Sequence, residues 1–516
     1  MLDKAIIEQL NSIFKNLSAN YTLDAKIGKN HDEAQNTKAF LSDFTSSSDR
    51  LAFSFKETED NDLTFLLLKE GKETGIAFKG IPNGHEFTSL ILAVLNADGQ
   101  GKNFPDEQIA RRIAAISGKN HFKTYVSLTC TNCPDIVQTL NLMALLNPGI
   151  SHEMVDGALF QDEVSRLGIQ SVPAVYLNGD LFHVGRGTLG ELLLKLEERT
   201  GTTGHEAIVR NYDVIVLGGG PAGSAAAIYS ARKGLNVAVV AERIGGQVNE
   251  TVGIENLISV PQTTGRALAE NLKSHMGNYP IDLFENRKIS EVKLDGQLKE
   301  IHAQGGEIFQ APALIIATGA SWRRLNVDGE AQYLGQGVHF CPHCDGPFYR
   351  DKRVAVIGGG NSGMEAAIDL SGICQHVTVL EFADELRADA VLQEKAAMTP
   401  NIEIFKSHQT TQVVGDNAHL TAIRVKDRMT GEEREIPLDG IFVQIGLAPN
   451  SGLFRDKLPL NDRGEIIVDV AGRTSMPGVY AAGDVTSTPY KQIIISMGEG
   501  AKAALSAFED KIRNVI

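Results

Sequence analysis

Four of the five cysteines form two C-x-x-C pairs, Cys130 with Cys133 and Cys341 with Cys344. This spacing is typical of a redox-active dithiol or of half a zinc site. A zinc site needs further ligands, and although two histidines lie near the second pair, no other cysteine pair occurs in that part of the sequence. We therefore predict two dithiols that exchange electrons, no metal site, and an inert core thiol at Cys374.

The first pair lies where a helix N-terminus would activate one of its thiols. Residues 123–128 are predicted to form a strand, and a predicted helix runs from the pair to Leu146. Because a helix N-terminus lowers a thiol pKa, we predict that Cys130 is the attacking thiol and Cys133 the resolving one. Glu86 belongs to the first 100 residues, which contain no cysteine and are predicted to form a fold of their own. It could place a carboxylate near this dithiol, or it could be a surface or cap residue.

A proline lies 43 residues beyond Cys130, in Val172-Pro173, and precedes a predicted strand over Ala174 to Leu177. The arrangement resembles the thioredoxin fold, in which the corresponding proline is cis and packs against the dithiol. A turn proline unconnected with the dithiol is the alternative.

Two glycine-rich turns have the context of dinucleotide-binding units. Each follows a predicted strand, opens a predicted helix and is followed about 20 residues later by a glutamate at the tip of a second strand. A single G-x-G-x-x-G is weak evidence, and ordinary βα turns are the alternative, but two copies in this context predict two nucleotide sites. The turns are Gly218-Gly219-Gly220-Pro221-Ala222-Gly223, with Glu242, and Gly358-Gly359-Gly360-Asn361-Ser362-Gly363, with Glu381.

The three glycines of each turn have different predicted tasks. The first permits a tight turn, the second lets the backbone approach a pyrophosphate, and the third allows close packing of helix on strand. The helix N-terminus offers N–H donors to the phosphates, and Glu242 and Glu381 are placed to accept hydrogen bonds from ribose hydroxyls. Two such sites imply a bound flavin and a diffusing nicotinamide nucleotide.

Two further segments indicate which nucleotide each turn holds. Thr318-Gly319-Ala320 and the late Gly483-Asp484 resemble the flavin-binding segments of flavoproteins with two dinucleotide folds, whose aspartate contacts the ribityl chain. The resemblance implies that the first turn holds FAD and the second holds the nicotinamide in an inserted domain. The FAD contacts expected on this basis are Gly218, Gly220, Pro221, Ala222, Gly223, Glu242, Gln247, Asn256, Thr318, Gly319, Gly483, Asp484 and Gln492. The nicotinamide contacts expected are Gly358, Gly360, Asn361, Ser362, Gly363 and Glu381.

The residues after Glu381 favour NADH over NADPH. A 2′-phosphate is held by arginines at this position, and a carboxylate repels it. Thioredoxin reductases have two arginines in this stretch, where this chain has Phe382 and Ala383. We therefore predict NADH as the reductant.

The second cysteine pair, within Cys341-Pro342-His343-Cys344-Asp345, lies between the two glycine-rich turns. A disulfide stacked against a flavin can accept two electrons and pass them on by thiol–disulfide exchange. Asp345 is a candidate acid or base for the leaving thiolate, or else a solvated loop residue.

Length and composition fit several globular domains and exclude some functions. At roughly 150 residues per domain, 516 residues suggest three or four domains. The net charge of −15, without a basic cluster, argues against binding nucleic acid or an anionic membrane. No apolar run approaches the roughly 18 residues of a membrane span, and the charged, amphipathic N-terminus does not resemble a secretory signal, so we expect a cytoplasmic protein.

From Tyr212 onward the chain resembles low-molecular-weight thioredoxin reductases in its Cys-Pro-His-Cys-Asp and in both glycine-rich turns. The preceding region, with Cys-Thr-Asn-Cys-Pro, resembles that of the flavoprotein component of bacterial alkyl hydroperoxide reductase. The resemblance implies an α/β chain in which two tandem thioredoxin-like folds are tethered to a module with two dinucleotide-binding domains. We expect a redox-inactive thioredoxin-like fold over 1–100, one with the C-x-x-C over 101–197, a flexible linker over 198–210, an FAD domain over 211–325 and 447–516, and an NADH domain with the redox disulfide over 326–446.

The resemblance implies an NADH-dependent flavoprotein disulfide reductase. Electrons would pass from NADH through FAD to Cys341–Cys344, then to Cys130–Cys133, and finally to the disulfide of a peroxiredoxin, supporting reduction of hydrogen peroxide and organic hydroperoxides. Family analogy also implies a homodimer. The alternatives are an NADH oxidase that forms hydrogen peroxide, a reductase of another disulfide, and a redox-regulated binding protein that is not an enzyme.

Overall fold

The computed structural model describes residues 2–60, 62–102, 104–130, 132–169, 172–202, 207–251, 254, 256–330, 332–334, 336–340, 342, 346–416 and 419–515. The chain divides into two compact units, residues 1–205 and 206–516. Each unit has its own hydrophobic core. Within the described residues, every helix is too short or too polar to cross a membrane.

The first unit is built on a mixed sheet with the strand order β2-β1-β3-β4-β6-β5-β7-β8. Parallel pairing of β4 with β6, where Phe78 lies opposite Met154, joins the cysteine-free half to the half that carries the first C-x-x-C. The strands are β1 (Tyr21–Gly28), β2 (Leu51–Thr58), β3 (Leu63–Lys69), β4 (Lys72–Lys79), β5 (Asn120–Val126), β6 (Ile150–Asp156), β7 (Ala174–Leu177) and β8 (Asp180–Val184).

Helices of the first unit cover this sheet with apolar faces. In α5 the buried positions include Ile136, Val137 and Leu140, one side of a helix at spacings of one, three and four residues. The helices are α1 (Lys4–Phe14), α2 (Ala34–Thr45), α3 (Phe87–Asp98), α4 (Glu107–Ala115), α5 (Cys133–Leu146), α6 (Gln161–Arg166) and α7 (Leu189–Thr200), with a 3₁₀ turn at Gly84–Glu86.

The second unit contains parallel sheets covered by helices, together with smaller antiparallel sheets. Its strands are β9 (Ile208–Asn211), β10 (Val214–Gly219), β11 (Val237–Ile244), β12 (Ile281–Phe284), β13 (Ile289–Lys293), β14 (Lys299–Ala303), β15 (Glu307–Ala311), β16 (Ala313–Ile316), β17 (Ala320–Trp322), β18 (Val338–His339), β19 (Arg353–Ile357), β20 (His376–Leu380), β21 (Ile402–Phe405), β22 (His408–Gly415), β23 (Leu420–Asp427), β24 (Glu433–Pro437), β25 (Gly440–Val443), β26 (Leu447–Pro449) and β27 (Val479–Ala481). Its α-helices are α8 (Pro221–Ala231), α9 (Gly265–Met276), α10 (Asn361–Ser371), α11 (Ala390–Ala397) and α12 (Ile493–Ile512). Its 3₁₀ turns are Gly246–Glu250, Gly346–Tyr349 and Gly452–Phe454.

Each glycine-rich turn lies at the carboxyl edge of a parallel sheet. The first follows β10 in the order β12-β11-β10-β16-β27, and the second follows β19 in the order β18-β25-β19-β20-β21. Their central strands are buried, as strands covered on both faces should be. The short strands β17 and β26 pair antiparallel, with Ser321 opposite Ala448.

Regular secondary structure defines the start of α8 and both ends of the segment expected to be a linker. Helix α8 begins at Pro221, within the first glycine-rich turn, because proline fits the first helical turn, where its missing N–H costs nothing. The expected linker, 198–210, overlaps the end of α7 at Thr200 and the start of β9. Strand β9 pairs with β15, so its residues have backbone partners.

Candidate functional site

The first C-x-x-C pair is a disulfide at the start of α5, which begins at Cys133. Cys133 is fully buried, whereas Cys130 is partly exposed, and the Cys133 N–H donates to Cys130 Sγ at 3.1 Å. Only the exposed sulfur can be reached by an external thiol or disulfide. This difference supports the predicted order, with Cys130 attacking and Cys133 resolving.

Two loops from other parts of the unit border this dithiol. The Val172–Pro173 peptide bond is cis, as predicted, and Cys130 Sγ lies 3.9 Å from the Val172 carbonyl oxygen. Arg186 Nε donates to Oδ1 of Asn132, between the two cysteines, at 2.7 Å. The buried His183 holds the Arg186 loop, with Nε2 2.9 Å from the Arg186 carbonyl oxygen. The loop thus places a positive charge beside the dithiol, which the sequence analysis did not predict.

Glu86 lies against α5, although it belongs to the cysteine-free half of the unit. Its side chain is fully buried, and neither carboxylate oxygen has a hydrogen-bond partner among the described residues. Burial raises the pKa of Glu86 to about 7; the nearby Ser89 hydroxyl opposes the rise, and Asp135, in the first turn of α5, adds to it. Glu86 is therefore a buried acid at the dithiol helix and not a surface residue.

The glycines of the first turn have the geometry that their predicted tasks require. Gly218 has a φ of +115°, a region that favours glycine, and a Cβ on Gly223 would lie 1.9 Å from the Gly218 carbonyl oxygen. A Cβ on Gly220 would come no closer than 3.9 Å to any atom, so Gly220 faces open space where α8 begins. The loop that contains Gln247 closes on this turn, with the Gly245 N–H donating to the Gly219 carbonyl oxygen at 2.8 Å.

The second turn repeats this geometry. Gly358 has a φ of +122°, a Cβ on Gly363 would lie 1.9 Å from the Gly358 carbonyl oxygen, and a Cβ on Gly360 would meet nothing within 4 Å. The Asn361 amide is engaged with Asp389, accepting from its N–H at 2.8 Å and donating to Oδ2 at 3.0 Å. The remaining expected contact, Ser362, is exposed in the first turn of α10.

These features fit a dinucleotide at each turn. The second glycine leaves the space that a pyrophosphate needs, and α8 and α10 begin there, where the first N–H groups of a helix have no partner within the helix itself. Glu242 is exposed near the end of β11, and Glu381 directly follows β20, so each glutamate lies at the carboxyl end of the strand that pairs with the one before its turn. FAD at the first turn and a nicotinamide nucleotide at the second are therefore compatible with the residues present.

The remaining residues expected to contact FAD include three that bond to residues distant in sequence: Thr318, Asn256 and Gln492. Thr318 Oγ1 donates to the Asn450 carbonyl oxygen at 2.8 Å, and the Asn450 N–H donates to the Gly319 carbonyl oxygen at 2.9 Å. Asn256 Nδ2 donates to Gln492 Oε1 at 3.1 Å, although 236 residues separate them. Their contacts with a bound flavin remain a prediction.

The Gly483-Asp484 segment is hydrogen-bonded to side chains in the first two turns of α12. Ser496 donates to Asp484 Oδ1 at 3.1 Å, and the Gly483 N–H donates to Glu499 Oε2 at 2.8 Å. Burial raises the pKa of Asp484; the Ser496 hydroxyl and the positive charge of Lys491 oppose the rise, and the Glu499 carboxylate adds to it. Glu499 was not among the expected site residues.

An arginine that was not predicted, Arg428, contacts the segment after β20 in which the choice between NADH and NADPH is expected to be made. Glu381 Oε2 accepts the Gly359 N–H at 2.5 Å, and its Oε1 accepts the Ala383 N–H at 2.7 Å. Arg428 lies over the Phe382 ring and donates from Nη1 to the Phe382 carbonyl oxygen at 2.7 Å. Arg428 comes from the turn after β23, and no local motif links it to Glu381.

The second cysteine pair and the aspartate that follows it lie outside the described residues. These residues are Cys341, Cys344 and Asp345. Their assignment as redox disulfide and candidate acid or base therefore remains a prediction. Cys374 is buried, and burial raises its thiol pKa to about 11, with a further contribution from Asp351. A thiol with this pKa is almost entirely protonated at neutral pH, as expected for an inert core cysteine.

The fold and the site define a pyridine nucleotide-disulfide oxidoreductase joined to a thioredoxin-like unit. Residues 212–500 match the family described as Pyridine nucleotide-disulphide oxidoreductase, and residues 120–198 match the Thioredoxin domain family. Thioredoxin reductase from T. acidophilum superposes with a TM-score of 0.52 at 38% identity, covering 59% of this chain and 99% of that one. The Lactococcus lactis enzyme gives a TM-score of 0.53 at 33% identity, covering 58% and 99%.

Two curated relatives match along the whole length. The chain is 48% identical to the F component of alkyl hydroperoxide reductase from Pseudomonas aeruginosa, over 99% of both chains, and 47% identical to that from Staphylococcus aureus, over 100% of both. The chain belongs to this family, the F components of alkyl hydroperoxide reductase. It is a flavin-dependent disulfide oxidoreductase that uses FAD and a pyridine nucleotide, which confirms the predicted fold class, enzyme class and cofactors.

Proposed function

We propose that the chain is the NADH-dependent reductase of a peroxiredoxin. Electrons pass from NADH through FAD to Cys341–Cys344, then to Cys130–Cys133, and finally to the disulfide of a peroxiredoxin that reduces hydrogen peroxide and organic hydroperoxides. The observation that carries the proposal is the presence, in one chain, of two dinucleotide turns and a thioredoxin-like dithiol with one accessible sulfur. The names of the full-length relatives indicate hydroperoxide reduction as the end use.

The residues of the second unit bind and orient the two nucleotides. Bound FAD supplies the chemistry of accepting a hydride from a nicotinamide and passing two electrons to a disulfide. Gly220 and Gly360 leave room for the pyrophosphates, and the first N–H groups of α8 and α10 stabilise their charge. Glu381 accepts ribose hydroxyl hydrogen bonds and disfavours a 2′-phosphate.

The first dithiol carries out two thiol–disulfide exchanges with its partner. The Cys130 thiolate attacks one sulfur of the partner disulfide, forming a mixed disulfide and releasing the other partner sulfur as a thiolate. The Cys133 thiolate then attacks Cys130 Sγ, which re-forms the Cys130–Cys133 disulfide and releases the reduced partner. Two electrons move to the partner, and two protons from solvent complete its thiols.

The expected setting is a cytoplasmic homodimer that meets a separate peroxiredoxin protein. We propose both the homodimer and the location by analogy with the family. Sedimentation of the purified chain measures its oligomeric state directly.

Steady-state reduction of a peroxiredoxin disulfide by the purified chain tests the relay. We expect activity with NADH that is lost in a Cys130→Ser/Cys133→Ser double variant, while slow NADH oxidation by oxygen persists. The matched control is Cys374→Ser, which removes a buried thiol outside the relay. Equal peroxiredoxin reduction by the double variant would exclude a relay through the first dithiol, and activity with oxygen alone would identify an NADH oxidase.

A further inference from the structure

Glu499 is a buried carboxylate with one unpaired oxygen. Its side chain is 7% exposed, and Oε2 accepts the Gly483 N–H at 2.8 Å. Oε1 is buried and has no hydrogen-bond partner within the described part of the chain. Buried polar atoms are nearly always paired, because an unpaired one loses its hydration without compensation. Among the described residues this oxygen therefore lacks a donor, and a bound group could provide one.

The unpaired oxygen lies where the residues assigned to FAD converge. Glu499 is one turn beyond Ser496, which donates to Asp484, and its charge acts on Asp484. The adjacent Gly500 packs on the first turn of α8, since a Cβ there would lie 2.0 Å from the Ala222 carbonyl oxygen. Glu499 thus lies between the late glycine–aspartate segment and the helix that opens at the first glycine-rich turn.

A purely structural role does not account for the carboxylate. Oε2 alone accepts the Gly483 N–H, and a glutamine could do the same without a buried charge. The nearby cation, Lys491, is engaged elsewhere: its Nζ ion-pairs with Glu465 at 3.0 Å and donates to the Thr488 carbonyl oxygen at 2.9 Å. Glu499 therefore has neither a counter-ion nor a second donor among the described residues.

We propose that Glu499 is a further residue of the flavin site and that its Oε1 accepts a hydrogen bond from a hydroxyl group of bound FAD. A hydroxyl is the donor class that the dinucleotide offers on its ribityl and ribose portions. The bond from Gly483 fixes the carboxylate, so Oε1 is held in place before the flavin binds. This inference rests on the proposed function, since it requires FAD at the first turn.

The test measures FAD binding by the full-length chain after its flavin has been removed with a chaotropic salt. Glu499→Gln keeps the side-chain size and the acceptor for Gly483 but replaces the unpaired acceptor with an amide donor. Because a hydrogen bond to a charged group is roughly twice as strong as a neutral one, we expect the FAD dissociation constant to rise about fivefold or more. The matched control is Thr486→Val, which removes a buried hydroxyl bond to the Gly483 carbonyl oxygen on the same turn, measured at 2.8 Å. Its dissociation constant should change less than about twofold.

Thermal unfolding of the flavin-free chain separates a ligand contact from a structural one. Glu499→Gln removes an unpaired buried charge, so the flavin-free variant should be at least as stable as flavin-free wild type, and only the stabilisation by added FAD should shrink. A dissociation constant within twofold of wild type, or an equal loss of stability with and without FAD, would overturn the inference and leave the proposed function intact. Failure of wild type itself to bind FAD would overturn both.

Discussion

The guanidinium carbon of Arg428 lies 3.8 Å from the centre of the Phe382 ring, directly beyond the glutamate expected to bind the nicotinamide ribose. The same arginine donates to the Phe382 carbonyl oxygen. A positive charge therefore lies next to the segment that follows Glu381. The arginine is bound to Phe382, however, while the Glu381 carboxylate faces the second turn. We therefore expect a preference for NADH to depend on this arrangement as well as on the absence of arginines at 382 and 383.

Replacing Phe382 by arginine should raise kcat/KM for NADPH about tenfold or more. A contact with the 2′-phosphate is charge-assisted and contributes about 1.5–3 kcal/mol, while the loss of the ring frees Arg428 for the same phosphate. The measurement is initial-rate kinetics with both nucleotides. Phe382→Gln, which also frees Arg428 but adds no charge at position 382, is the control, and an equal gain in that variant would show that the gain does not come from the added arginine.

Glu86→Gln should make the first unit less sensitive to pH. Burial raises the pKa of Glu86 from 4.5 to about 7, so its neutral form is favoured in the folded state. The corresponding contribution to stability, about 3 kcal/mol, is fully present below pH 4.5 and is lost as the pH rises through 7. Wild type should therefore lose about 6–12 °C in Tm relative to the variant between pH 4.5 and pH 8.

Calorimetry of the full-length chain measures this difference, and fluorescence of the single tryptophan, Trp322, identifies the transition of the second unit. Glu8→Gln, at an exposed position of α1, is the control and should follow wild type at every pH. Parallel pH profiles for wild type and Glu86→Gln would show that the buried carboxyl does not titrate in this range.

Arg186→Gln should slow alkylation of the reduced first dithiol at neutral pH. Arg186 is bonded to Asn132, between the cysteines, and its charge favours the Cys130 thiolate. Because the arginine is exposed to solvent, the effect is modest, about two- to fivefold. The measurement uses iodoacetamide and a Cys341→Ser/Cys344→Ser background. Arg199→Gln, which breaks an ion pair with Asp180 in the same unit, should leave the rate unchanged.

Features encoded within short stretches of chain were predictable from the sequence. The glycine-rich turns were recognisable because a tight turn and a close helix–strand contact each exclude a side chain, as Gly218 and Gly223 show. The cis Val172–Pro173 bond followed from its position before a strand in a thioredoxin-like fold. In these cases the residues that define the feature are neighbours in sequence.

Three contacts between distant segments were not predictable, because a single sequence does not show which loops meet. Arg428 reaches the residue after Glu381 across 46 positions, and Arg186 reaches Asn132 across 54. In the sequence Glu499 is indistinguishable from an exposed helix glutamate, and only the structure shows that its side chain is buried. These are charged residues, for which exposure is the general expectation, so composition and periodicity gave no signal.

Gly360→Ala should raise KM for NADH without lowering the Tm, whereas Gly363→Ala should lower the Tm, although both replace a glycine of the same turn. A Cβ on Gly360 meets no atom within 4 Å, and its φ of −84° suits alanine, so the protein should fold with an unchanged Tm. The added methyl group instead occupies the space assigned to the pyrophosphate, and KM for NADH should rise about tenfold. Flavin content should stay at the wild-type level, because the first turn is untouched.

A Cβ on Gly363 would lie 1.9 Å from the Gly358 carbonyl oxygen, a backbone atom that cannot move without opening the turn. Gly363→Ala should therefore lower the Tm of the second unit and the yield of folded chain, with KM affected only through that loss of structure. Thermal unfolding and NADH titration of the two variants side by side give the comparison. Equal Tm losses would mean that Gly360 also serves packing, and an unchanged KM in Gly360→Ala would place the pyrophosphate elsewhere.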